Sequence, residues 1–211
     1  MRPLVATMFL TMDGVCQAPG GPDEDTSGGF RAGGWLVPHY DETLGARMDA
    51  WFGGAQDFLL GRGTYEIFAA AWPQVPVEGD AVSAGLNTKP KHVASRTLTT
   101  LDWSGSRLVE GDVVEAVRAL TATDGGELQV HGSPGLLQTL LRADLVDELR
   151  LVVAPVVVGE GKRLFGSGAV PGGWELTAHE VTPTGVLLLT YRRAGELRTG
   201  AVGPEYDEVS G

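Results

Sequence analysis

The chain has 211 residues, 43% of them hydrophobic and 31 of them glycine, which suits one well-cored, turn-rich α/β domain and leaves little room for two. A formal net charge of -11 and a pI near 4.7 argue against nucleic acid or an anionic membrane surface as the main partner, although a local basic pocket remains compatible. Cys16 is the only cysteine, so an intrachain disulfide and a thiolate-rich metal cluster are both excluded. No apolar run approaches the roughly 20 residues of a membrane span, and the opening MRPLVATMFLTMDG lacks a cleavage region, so a cytoplasmic protein is expected.

Leu4 to Thr11 reads as a buried first strand that ends at Met12, Asp13 and Gly14. A carboxylate at that strand end falls where α/β sheets open a ligand crevice. Gln17 to Gly34 is too rich in Gly and Pro for a regular element and is expected to be a long functional loop. A helix follows whose apolar face holds Leu44, Met48, Trp51 and Phe52, with Asp41 or Thr43 as its cap. Phe58 to Leu60 is a short strand entering the helix GRGTYEIFAAAW, where Gly61 frees the backbone, Arg62 offers a fork of donors and Thr64 caps. Lys91 to Ala94 is a third strand, followed by Ser95, Arg96 and Thr97. Arg107 to Val109 is an edge strand, and Asp112 caps a helix carrying Val113, Val117 and Leu120.

Glu127 to Val130 alternates, meets Gly132, Ser133 and Pro134, and gives way to Leu136, Leu137, Leu140 and Leu141 at helical spacing: strand, tight turn, helix. Gly132 lets another molecule approach the backbone, while Ser133 with Pro134 at the first helical position opens a helix start suited to a phosphate. The same pattern also serves as a plain cap. Leu149 to Val158 reads as a strand buried on both faces, which pairs in parallel with the one before it. Gly159 to Arg163 is a hairpin-like turn, and Trp174 to Val181 with Val186 to Tyr191 form a closing antiparallel pair. The three strand ends at Arg62/Thr64, Ser95/Arg96 and Gly132/Ser133 would converge on one side of one sheet, as a phosphorylated cofactor requires. His39, His92, His131 and His179 lack metal-ligand spacing, so no metal is expected; His131 stands apart because it adjoins Gly132.

In this order the motifs LTMDG, LLGRGTYEIF, KHVASRTL, ELQVHGSPGLLQTLL and LVDELRLVVAPVVVGEGKRLF resemble the dihydrofolate-reductase-like superfamily. Within it they are similar to the reductase domain of bacterial riboflavin biosynthesis, the RibD C-terminal domain type. The resemblance implies a three-layer α/β/α fold over residues 1–193, with a mixed, mostly parallel sheet and antiparallel C-terminal strands, then an acidic, flexible tail over 194–211. It also implies NADPH as hydride donor, a small-molecule substrate and a homodimer. By the same likeness Gly61, Arg62 and Thr64 hold cofactor phosphates, Ser95 and Arg96 meet the adenosine 2′-phosphate, and Gly132 with Ser133 lie under the pyrophosphate. Thr11 and Asp13 fall beside the nicotinamide and substrate. Asp41 loosely matches the first-helix carboxylate that protonates the pterin in dihydrofolate reductase, and is the candidate proton source. One cysteine and a strand starting at Leu4 leave no room for the zinc deaminase domain of the bifunctional riboflavin enzyme, so a stand-alone reductase is expected. Three alternatives follow: reduction of a C=N or C=O carbon of a small heterocyclic or sugar-linked substrate as in 5-amino-6-(5-phosphoribosylamino)uracil, reduction of dihydrofolate or another pterin, or a non-catalytic NADPH-binding module.

Overall fold

A computed structural model describes residues 1–166 and 169–201 of the chain. Its eight strands are β1 (Leu4–Thr11), β2 (Ala55–Gly61), β3 (Lys91–Ala94), β4 (Ser106–Leu108), β5 (Glu127–His131), β6 (Glu148–Ala154), β7 (Trp174–Val181) and β8 (Leu187–Arg193). They form one sheet in the order β4-β3-β2-β5-β1-β6-β8-β7. β1 lies between β5 and β6 and is parallel to both; β2 is parallel to β3 and β5, and β3 to β4. β8 is antiparallel to β6 and β7. The strands flanking the Gly132 turn are therefore parallel as expected, but β1 separates them. This central position explains the apolar run of β1, in which Leu4, Ala6, Met8 and Leu10 meet one core and Phe9 packs against another.

Helices α1 (Glu42–Gly54), α2 (Arg62–Ala71), α3 (Ala81–Thr88), α4 (Val113–Thr121) and α5 (Pro134–Arg142) cover the sheet. On one face Val117 of α4 and Leu137 and Leu140 of α5 pack on Leu128, Val130 and Leu149. Leu137 and Leu140 are fully buried, which stabilises the fold by about 1.5–3 kcal/mol each. On the other face Leu44, Met48 and Trp51 of α1 pack on Val152, Ala154 and Leu188, and Tyr65 and Leu86 of α2 and α3 pack on Phe58 and Leu60. The result is the three-layer, dihydrofolate-reductase-like arrangement.

One local expectation changes, one helix is added and one choice between two caps is settled. α3 has no counterpart among the expected elements because its two turns offer little period: Ser83, Gly85 and Leu86 are its buried residues, and Asp80 caps it by accepting from Ser83 N at 2.7 Å. β6 stops at Ala154, short of Val158, because Pro155 brings no N–H and Val156 turns back to Ala154 O, its own carbonyl accepting from Met12 N at 2.8 Å. Asp41, of the two cap candidates, accepts from Leu44 N at 2.9 Å. Residues 194–201 carry no regular element, and Glu205, Asp207 and Glu208 lie outside the described residues.

Candidate active site

Because β1, β2, β3 and β5 are parallel, their C-terminal ends share one edge of the sheet, and a cleft of about 2250 Å³ runs along it. Gly61, Arg62 and Thr64 from the β2–α2 junction, Ser95 and Arg96 after β3, and Gly132 and Ser133 after β5 all line this cleft. Residues up to about seventy positions apart in the chain are thus gathered by the sheet order. Thr11, Asp13 and Asp41 do not line it.

The two central junctions are locked together. Gly61 N donates to Ser133 Oγ at 2.9 Å, while Ser133 N and Oγ donate to Thr64 Oγ1 at 3.0 and 2.8 Å. Two expectations are corrected here. Ser133 sits at the N-cap of α5, but with φ +56° and ψ 56°, and its hydroxyl serves the neighbouring junction, making no hydrogen bond to its own helix. Thr64 lies inside α2, whose N-cap is Gly61, and its oxygen is taken up by Ser133. Gly61 itself has an ordinary φ of -74°; an added Cβ would come within 3.2 Å of Ser133 Cβ and Oγ and would press on the side chain that locks the junctions. Gly132, at φ +58°, precedes Ser133 in the same left-handed region, so the chain turns sharply under the cleft.

This lock leaves donors over. Thr64 Oγ1 accepts twice, and its own proton has no acceptor among the described residues. At the start of α5 Pro134 lacks an N–H and Leu137 N donates to Ser133 O, so the free first-turn donors are Gly135 and Leu136, both of which line the cleft. Arg62 and Arg96 are exposed and form no ion pair among the described residues; Arg62 Nη1 reaches only Thr97 Oγ1, at 3.4 Å. Ser95 Oγ accepts from Thr97 N and Leu98 N, which fixes the loop carrying Arg96. Unpaired guanidinium groups beside free N–H and O–H donors form an anion-binding surface in a protein of strongly negative charge.

His131 reaches the cleft from its floor, stacked on Phe52 at 4.1 Å between ring centroids and 3% exposed. Gln129 Nε2 donates to Trp51 O and to Glu127, so Gln129 Oε1 accepts the proton of His131 Nε2 at 2.8 Å and Nδ1 is the bare nitrogen. Burial, seconded by the charge of Arg150, holds the imidazole pKa down at about 3, so it is neutral. Arg150 itself is paired with Glu127 at 2.6 Å and Glu148 at 2.7 Å.

The carboxylates outside the cleft are committed elsewhere. Asp13 accepts from Thr11 Oγ1 at 2.6 Å and from Val158 N and Gly159 N, and pairs with Arg163 at 3.2 Å; with the Thr11 bond as the largest cause, its pKa is lowered to about 2. Asp41 is lowered to about 2 by its bond from Leu44 N and by Thr184, which donates through both N and Oγ1. Both are ionised at neutral pH. Cys16 lines the cleft with its thiol pushed up to about 11 by burial, and stays protonated. Among the described residues no group of three or more His, Cys, Asp and Glu side chains could hold a metal ion, and no helix is long and apolar enough to cross a membrane.

Sequence reasoning missed the cleft's apolar wall, formed by Met48 and Phe52 of α1, Phe68 of α2, Trp72, and Val82 of α3. The helical spacing of Met48 and Phe52 and of Phe68 and Trp72 was visible, but it marks core positions equally well, and Val82 sits on a helix with too little period to show. It also missed the pairing of Lys162 with Asp25, 2.6 Å apart across 137 residues of chain, for which no local pattern exists.

Residues 2–188 match the model of the RibD C-terminal domain. The chain is 36% identical over 166 residues to the protein YyaP of Bacillus subtilis (strain 168), covering 78% of this chain and 80% of that one. Among solved structures it is similar to a protein of Shewanella sp. PV-4 provisionally assigned to riboflavin biosynthesis, with TM-score 0.65, 21% identity and coverage of 91% of this chain and 99% of the other. The deaminase/5-amino-6-(5-phosphoribosylamino)uracil reductase of Thermotoga maritima gives TM-score 0.59 at 16% identity, covering 92% of this chain and 57% of that longer one. Dihydrofolate reductase of Enterococcus faecalis, solved with NADP(H), gives 0.56 at 16%, covering 90% and 96%.

Proposed function

As the chain belongs to the RibD C-terminal domain family, we propose that it is an NADPH-dependent oxidoreductase that reduces a C=N or C=O carbon of a small heterocyclic substrate. The observation that carries this reading is the convergence of unpaired Arg62 and Arg96 with the spare donors of Thr64, Gly135 and Leu136 on one sheet edge. That donor set fits a nucleotide's phosphates. Arg62, Thr64 and the start of α5 would hold the pyrophosphate, and Ser95 with Arg96 the 2′-phosphate. When bound, NADPH supplies the hydride; the chain's part is to bind, orient and exclude competing reactions.

The substrate's heteroatom must gain a proton as its carbon gains the hydride. Asp13 and Asp41, both ionised, hold none to give, so water entering the cleft donates it. Asp41 then acts as the cap of α1 and its tie to Thr184, and Thr11 with Asp13 act as positioning residues. Through Val158 N, Gly159 N and Arg163, Asp13 pins the segment that brings Lys162 and Arg163 to the cleft. Homodimerisation has a candidate surface in the sheet face where Val153, Leu187 and Val181 stand in one row and Tyr191 and Leu176 in another, with Leu176, Val181 and Leu187 exposed. Fluorescence titration with NADPH and NADH tests the central reading without a known substrate. Saturable binding that favours NADPH is expected; binding of neither refutes it.

A further inference from the structure

The cleft changes character along its length, and the change bears on what the proposed reductase takes as substrate. At the ends of β2 and β3 the lining cations are Arg62 and Arg96, neither in an ion pair among the described residues. Near the ends of β1 and β6 the lining cations are Lys162 and Arg163, and both are engaged. Lys162 Nζ lies 2.6 Å from Asp25 Oδ2. Arg163 Nη2 lies 3.2 Å from Asp13 Oδ2 and 2.7 Å from Gly159 O, and its Nη1 donates to Asp13 O.

Asp23, Glu24 and Asp25 line the cleft beside them, with Asp25 lowered in pKa through its bonds from Lys162 and Ser27 even though its burial pulls the other way. The remaining charged lining residues, Glu66 and Asp112, are also acids, and Asp112 caps α4. Between the ends the wall is apolar and aromatic: Met48, Phe52, Phe68, Trp72 and Val82, with Tyr40 at the rim. With Arg62 and Arg96 occupied by the nucleotide, a further phosphate would meet no free cation among the described lining residues and an excess of carboxylates.

We propose that the substrate of this cleft carries no phosphate and is an uncharged, planar ring compound packed between the apolar residues of α1 and α2. The proposal rests on the NADPH reading, which reserves the two free arginines for the cofactor. It separates this protein from a reductase of phosphoribosyl compounds that shares its fold.

The test compares 5-amino-6-ribosylaminouracil with its 5′-phosphate, two probes that differ only in the phosphate, by calorimetric titration of the full chain with and without NADPH. With NADPH bound, the phosphate-free probe is expected to bind at least about tenfold more tightly, the size of effect that a net excess of about one like charge at close range produces. Equal or tighter binding of the phosphate ester to the NADPH-loaded chain, or binding of neither probe, overturns the proposal. Asp25→Asn keeps the oxygen that accepts from Ser27 but releases Lys162, and should tighten the phosphate ester about three- to tenfold while leaving the phosphate-free probe unchanged. No gain for the ester in that variant removes the Asp25–Lys162 pair from the argument and overturns its role. Because the probes are compared without NADPH as well, loss of the cofactor reading and loss of this proposal give different results.

Discussion

His131 makes acid sensitivity a direct report on how the cleft floor is built. Its ordinary pKa of 6.5 falls to about 3 in the folded chain, so between those values the unfolded chain binds more protons than the folded one. Stability contributed by keeping the ring neutral is complete above pH 6.5 and is lost as the pH falls toward 3. At about pH 5 the penalty is about 2 kcal/mol, from 1.36 kcal/mol per pH unit below the unfolded value. Replacing His131 by Gln keeps a donor for Gln129 Oε1 and removes the titrating ring. Urea unfolding of both proteins at about pH 7 and about pH 5 should therefore show the parent losing about 2 kcal/mol more than the variant. The double difference cancels His92, whose pKa is also lowered by burial, because both proteins keep it. Asp13 and Asp41 lose their contribution only as the pH drops from 3.8 toward 2, outside this window. Equal losses in parent and variant would mean that the ring is hydrated and protonates in place, and the neutral cleft floor would have to be given up.

Arg96→Ala should weaken NADPH about 10- to 100-fold in a fluorescence titration, the range for one charge-assisted contact to phosphate, and leave NADH nearly unchanged; equal losses would remove Arg96 from the 2′-phosphate. Ser133→Ala deprives Gly61 N of its acceptor and should cost about 1–3 kcal/mol in urea unfolding, with weaker NADPH binding because two phosphate-holding junctions separate. Asp41→Asn should leave the pH profile of turnover unchanged and lower the melting temperature, since it loosens the bonds from Leu44 and Thr184; loss in the variant of a limb in which activity falls with rising pH would restore Asp41 as the proton source. Val181→Lys with Leu187→Lys should shift a homodimer to monomer in sedimentation, and an unchanged mass would exclude that sheet face.

The alternation and apolar runs of the sequence determined the strands from Leu4, Lys91, Glu127 and Trp174, because burial on a sheet leaves a period that is local to the chain. Turn chemistry determined the junctions at Gly61 and Gly132 in the same way, since a glycine followed by a helix start is written in adjacent residues. Only the tertiary structure decided why they are built so. Gly61 packs closely under Ser133, Ser133 faces away from its own helix toward Thr64, and Asp25 neutralises Lys162. Each of these depends on a partner some 70 to 140 positions away in the chain, brought near by the order in which the strands assemble, and a hydrogen bond or ion pair of that kind leaves no mark on the residues beside it.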